Sequence, residues 1–208
     1  MRCVCGKAGA THVRSMRCPH PLTESVISLR SRASVSRSRY ETPRNPDEES
    51  AMAPYTDRRS AIERLRSFPA ELEARVTPLS DADLDRHAPG EWSTRQIVHH
   101  LADSHMSANF RFRKPLSEPN PATLPVYDQA AWAEMADSTL PIAPSLLILR
   151  GLHARFVALL ESLTDAQWMQ TGQHPEWGIV TVENVAYRYA AHCDVHLAQI
   201  ERALRGEP

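Results

Sequence analysis

The chain has 208 residues, with 24 Lys+Arg against 25 Asp+Glu, ten His, four Cys, seven Gly and sixteen Pro. A net charge of −1 removes the global electrostatic case for nucleic acid or a membrane surface as the main partner. The longest apolar run, Leu146-Leu147-Ile148-Leu149, is too short to span a bilayer. Few glycines and little period-2 alternation disfavour a β-sandwich, a Rossmann sheet or a P-loop, so the expectation is a soluble, cytoplasmic, mostly helical protein.

Composition divides the chain. Residues 1–51 carry nine of the Lys+Arg and five of the Asp+Glu, in a Ser- and Arg-rich stretch with little to bury. This segment reads as a disordered or spurious N-terminal extension, with residues 52–208 as the folded domain. Cys3, Cys5 and Cys18 lie in the extension and only Cys193 in the domain, which excludes a disulfide framework, and their spacing is too irregular for a zinc site.

From Met52 onward, Ala61, Ile62, Leu65, Phe68, Leu72 and Val76 recur on one helical face, with a kink or restart expected at Ser67-Phe68-Pro69. Ser80 caps a short turn, Pro89-Gly90-Glu91 breaks the chain, and Ser93 caps a second long helix from Thr94 to about Leu116. Six prolines between Pro115 and Pro144 mark a long crossover with one short helix around Gln129–Met135. The stripe Leu149, Leu152, Phe156, Leu159, Leu160 and Leu163 makes a third helix, followed by a short turn from Thr164 and a loop from Gly172 to Gly178. Thr181 caps a fourth helix over Val182–Leu204, closed by Gly206. The expected fold is all-α, a four-helix bundle with one long crossover and short extra helices.

Among the histidines, only His192 and His196 have i,i+4 spacing, which puts two imidazoles one turn apart on one helix face. A third ligand has to come from another helix, and the second helix offers His99 and His100. At about 100° per residue, Ser104, Ser107 and Arg111 lie within about 40° of His100, while His99 and His105 are rotated away as edge or surface residues. On the fourth helix Val185, Arg188 and Gln199 lie within about 40° of His192, and Tyr189 about 60° away. Two polar strips where a bundle normally packs leucine favour a site, because buried polar groups cost free energy unless partnered. His153 reads as a core-edge histidine, His174 as a loop residue, and Cys193 as a packing residue turned away from the ligands. Trp132, Trp168, Trp177 and Tyr127 read as core or lid.

The stretch Glu91-Trp92-Ser93-Thr94-Arg95-Gln96-Ile97-Val98-His99-His100-Leu101-Ala102-Asp103-Ser104-His105-Met106, with Arg111-Phe112, resembles the YfiT-type branch of the DinB superfamily. The likeness continues through Pro125-Val126-Tyr127-Asp128, Trp132-Ala133-Glu134, Leu152 to Phe156, His174-Pro175-Glu176 and Tyr189 to His196, and covers about residues 57–204. It implies a four-helix bundle with a metal held by His100, His192 and His196. It also implies relatives that are bacillithiol and mycothiol S-transferases or metal-dependent hydrolases, and a homodimer. The sequence departs from that pattern at Ala191, where an aromatic is usual, and at Cys193-Asp194-Val195, where relatives carry a histidine-rich run.

Three neutral imidazoles leave the charge of a divalent ion uncompensated, which suits Zn or Ni and a bound anion. The leading expectation is transfer of a low-molecular-weight thiol to an electrophilic small molecule, with Arg111 and Arg188 holding the anionic part of the thiol and Ser104, Ser107 and Tyr189 completing its contacts. Hydrolysis by a metal-bound hydroxide is the alternative, with Asp103 as the carboxylate that handles the proton. A third reading is a metal- or ligand-binding stress protein without turnover.

Overall fold

A computed structural model describes residues 55–208. The expected N-terminal extension, its cysteines and the boundary at Met52 lie outside the described residues.

Three of the four long helices begin where a side chain satisfies an exposed N–H of the first turn, while the fourth, Ala143–Glu161, has a proline in its first turn, with no N–H to satisfy, and no side-chain cap. Helix α1 (Arg58–Val76) starts at Asp57, whose side chain accepts from the Ser60 N–H at 2.9 Å. After a short α2 (Asp81–Leu84) under a Ser80/Asp83 capping box, α3 (Thr94–Ser117) starts at a Ser93/Gln96 capping box. The crossover then carries strand β1 (Ala122–Thr123), α4 (Gln129–Ala133) and a 3₁₀ turn at Ala136–Thr139. Helix α5 (Ala143–Glu161), a short α6 (Asp165–Trp168), strands β2 (Thr171–His174) and β3 (Gly178–Thr181), and α7 (Val182–Arg205) complete the chain. Gly206, at φ 69°, ends α7 in the left-handed conformation that suits glycine.

The four long helices form a bundle in which α1 and α3 each pack against both α5 and α7. This arrangement puts α3 beside α7 and brings the two polar strips together. Core residues include Leu65, Phe68, Leu72, Ile97, Leu101, Phe112, Leu149, Phe156, Leu160, Val185 and Ile200. Helix α5 alone among the described helices is long and apolar enough to cross a membrane by length and composition, a property the four-residue run did not reveal. Here it packs within the bundle through Leu149, His153, Phe156, Val157 and Leu160.

Three expectations change. Helix α1 runs unbroken through Pro69, so no restart occurs at Ser67-Phe68-Pro69. The buried stripe of α5 takes in His153 and Val157, whereas Leu152, Leu159 and Leu163 are only partly buried. The segment from Gly172 to Gly178 is no plain loop but most of a β-hairpin, and β1 adds to it in parallel to make a small sheet in the order β1-β2-β3. Strands of two to four residues carry too little alternation to show in the sequence. Gly172 permits the sheet's close packing, because a Cβ there would lie 2.6 Å from the Leu124 side chain.

Arg95 is buried at the start of α3 and donates to Asp85 (2.6 Å) and Asp81 (2.8 Å), tying α3 to the segment before it. Leu72 is fully buried and Leu147 is 64% exposed. Leu72→Ala is expected to lower stability by about 2–5 kcal/mol in urea unfolding, and Leu147→Ala by less than about 0.5 kcal/mol.

Candidate metal centre

The α3–α7 seam brings together the three histidines chosen from helix geometry. One ligand nitrogen from each of His100, His192 and His196 can be selected so that all three lie within 4.8 Å of one another. His100 and His196 are buried, and His192 is partly accessible. The Nε2 atoms of His192 and His196 stand 3.0 Å apart, and the His100 ring centroid is 4.8 Å from that of His196. Trp92 packs against His100 at 4.8 Å between ring centroids.

Burial holds all three rings well toward the neutral form that ligates metal. It lowers His196 to about 4 and takes His100 and His192 well below their usual range, with mutual histidine repulsion adding to the effect on these two. The Oε1 of Gln199 lies 2.7 Å from His196 Nδ1. An amide oxygen only accepts, so His196 donates from Nδ1 and keeps a lone pair on Nε2, facing its two neighbours. A divalent cation is therefore chemically suited to this donor set: three neutral imidazoles, one with its tautomer fixed by a hydrogen bond outside the cluster.

His99 does not join the cluster. Its ring bonds outward, Nδ1 with Ser145 Oγ at 2.8 Å and Nε2 with the Leu140 carbonyl at 2.9 Å, fastening α3 to the crossover and α5. The expectation that His105 lies at an edge or surface is overturned. It is fully buried, 2.7 Å from His153 and 3.4 Å from His192. Helix phase misjudged it because α5 and α7 both pack on α3, covering more of its circumference than a single facing strip. His153 is buried as well, and Cys193 donates its thiol to the Tyr189 carbonyl at 3.1 Å while lying within reach of these two histidines. The position of His153 inside the apolar α5 stripe was the one sequence signal that could have identified it.

Arg111 is buried at 6% exposure and already donates to the Tyr189 hydroxyl (2.6 Å) and, through Nε and Nη2, to the Pro125 carbonyl (3.2 and 3.0 Å). Tyr189 in turn donates to the Ser104 carbonyl at 3.1 Å. Both groups are thus engaged in holding the crossover to the seam, which leaves Arg111 two of its five N–H groups for anything else. The guanidinium of Arg111 lies 4.8 Å, and that of Arg188 4.7 Å, from the centre of the Trp177 ring.

The ring of Trp177 stacks on His174 at 3.8 Å. His174 ends β2 and is buried, contrary to its expected place in a loop. Its Nδ1 accepts from the N–H groups of Glu176 and Trp177 at 3.2 and 3.3 Å, which leaves Nε2 as the N–H. That Nε2 is buried and has no hydrogen-bond partner. Burial, then the charges of Arg111 and Arg188, lower His174 to about 4. Ser104 is buried, and Ser107 and Asp103 are half-buried on α3. Burial, then the Asp137 charge, raises the Asp103 carboxyl to about 6. Trp168 is in the core, and Trp132, 38% exposed, packs against Tyr127 at 4.5 Å.

Two outcomes are expected. Elemental analysis of the full chain purified without chelator gives near one divalent metal per chain, lost in His100→Ala and His196→Ala. In metal-stripped protein, His153, His174 and His196 stay neutral when folded down to about pH 4, while their unfolded counterparts protonate near 6.5. The unfolded state therefore binds more protons across that window. Urea-unfolding stability then falls as pH drops from about 6.5 to about 4, and this contribution is fully present above it.

A family model described as the DinB superfamily matches residues 40–200. YfiT of Bacillus subtilis, which carries the provisional name of a metal-dependent hydrolase, is 42% identical over 147 residues, spanning 69% of this chain and 82% of its own. A similarly named protein of Halalkalibacterium halodurans is 35% identical over 144 residues, 69% of this chain and 84% of its own. The solved structure of Bacillus subtilis YfiT, described as having an unusual four-helix bundle topology, superposes with a TM-score of 0.66 at 36% identity, covering 79% of this chain and 90% of that one. With its bundle and its three converging histidines, the chain belongs to the DinB superfamily, alongside YfiT.

Proposed function

We propose that the chain is a divalent-metal-dependent enzyme in which His100, His192 and His196 hold one Zn or Ni ion, and that it transfers a low-molecular-weight thiol to an electrophilic small molecule. The observation that carries this reading is the donor set: three imidazoles within 4.8 Å, with no carboxylate among the grouped residues to offset the charge of an ion. When bound, such an ion supplies a localised positive charge that favours an anionic sulfur or oxygen at neutral pH. The names of the relatives support metal-dependent chemistry in general.

The residues around Trp177 suit the charged end of such a thiol. Arg188 and the two uncommitted N–H groups of Arg111 offer charge-assisted donors, and the unpartnered Nε2–H of His174 offers a third. Tyr189 acts here as a positioning residue that orients Arg111 against the Ser104 carbonyl, with Ser104 and Ser107 lining the α3 side.

Hydrolysis is the second reading, favoured by Asp103. A half-buried carboxyl that changes charge near pH 6 can accept a proton from an attacking water and return it to a leaving group. The homodimer and the cytoplasmic location belong to the same proposal. Met106 and Phe110 on α3 and Ile148 on α5 are exposed apolar residues that a second copy would cover.

The test incubates metal-loaded protein with a panel of low-molecular-weight thiols and an alkylating electrophile, and separately with esters and amides. Thiol consumption that depends on metal is the expected result, with kcat/KM lowered about ten- to a hundredfold in Arg188→Met, the worth of one charge-assisted hydrogen bond. Thiol-independent hydrolysis abolished by Asp103→Asn would place the second reading first, and neither activity with metal bound would leave the binding protein without turnover.

A further inference from the structure

Pro69 sits inside α1, where it has no N–H to give to the carbonyl four residues before it. That carbonyl belongs to Leu65, in the buried face of the helix, and an orphaned buried carbonyl has to find another donor. The donor is His153, whose Nδ1 bonds to the Leu65 oxygen. The far nitrogen of His153, Nε2, lies 2.7 Å from His105 Nδ1, and His105 Nε2 lies 3.4 Å from His192 Nδ1. The rings of His105 and His153 are nearly parallel, inclined by 17° with centroids 4.8 Å apart, and Phe68 packs against both, at 5.9 and 5.3 Å.

We propose that Leu65, His153 and His105 form a one-directional hydrogen-bond relay that fixes the tautomer and orientation of His192 for metal binding, and that Pro69 sets its direction by freeing the Leu65 carbonyl. The role of the relay rests on the metal reading above, while the tautomers it assigns do not. A carbonyl can only accept, so His153 donates from Nδ1 and accepts at Nε2. His105 then donates from Nδ1 and accepts at Nε2, and His192 donates from Nδ1. The lone pair of His192 is left on Nε2, the atom 3.0 Å from His196 Nε2. Reversing the chain would turn a bare His153 nitrogen toward a carbonyl oxygen. Gln199 performs the same task for His196 in one step. Both ring nitrogens of His105 and of His153 are occupied in the relay. A metal at the neighbouring His105, His153 and Cys193 group would have to break these bonds.

His105 and His153 are therefore positioning residues, and His153 acts on the metal only through His105. The test uses the full chain labelled with ¹⁵N-histidine, measured metal-free by NMR and then titrated with Zn²⁺ against a chelating dye. Wild type is expected to show His105 and His153 protonated on Nδ1 and bare on Nε2 before any metal is added. In His153→Phe, which removes the acceptor, His105 leaves that tautomer and Zn²⁺ affinity falls about ten- to a hundredfold. In His153→Gln, whose amide oxygen can accept from His105, the tautomer and most of the affinity return.

A proton on Nε2 of either histidine in the wild type overturns the proposal. So does His153→Phe with unchanged affinity, or His153→Gln losing as much as His153→Phe, which would mark a packing role. A second bound equivalent of Co²⁺ with thiolate absorption lost in Cys193→Ser would also overturn it, in favour of a second metal. If wild type binds no Zn²⁺, the metal reading fails while the NMR arm still decides the tautomers.

Discussion

Five imidazoles are packed into the interior where α3, α5 and α7 meet, and each buried ring nitrogen needs a partner of the right sign. The rest of the structure follows from meeting that requirement. Neutral rings have one donor and one acceptor each, so their partners must be ordered, and the order has to end on groups whose sign cannot change. One end is a backbone carbonyl in α1, and another is the side-chain oxygen of Gln199 in α7. What remains unpaired inside those ends is a set of lone pairs facing one another, a demand that a cation meets.

Such a cluster is costly to bury unless the helices around it are held rigidly. The bundle does this with few devices: capping boxes that start α3 and α7, fully buried Phe68, Phe112 and Phe156 between the helices, and the Arg95 ion pairs at the start of α3. The long crossover is not slack. Its β1 strand pairs with β2, and its Pro125 carbonyl receives two bonds from Arg111, which is itself fixed by Tyr189 on α7. The small sheet thus places Trp177 and His174 near the two arginines, and the sheet exists at that distance because Gly172 has no side chain to strike Leu124.

Much of this was legible in the sequence. Apolar spacing and caps located all four long helices because those signals act within a turn or two of helix. The His192 and His196 pair and the phase of His100 pointed to the same three residues that converge in the structure. The β-hairpin was not legible, since strands this short are decided by the partner they meet. Nor was the burial of His105 and His174, which depends on how much of each element its neighbours cover.

By itself, then, the sequence determined the helices, their polar strips and the residues able to ligate an ion, since these depend on spacing along one chain. Only the tertiary structure decided which strip faces which, that Arg111 and Tyr189 bond to each other, and that the carbonyl released by Pro69 meets His153 on another helix. The separation is physical: helix periodicity is local, whereas a hydrogen bond between residues 88 apart in the chain exists only once the helices have packed.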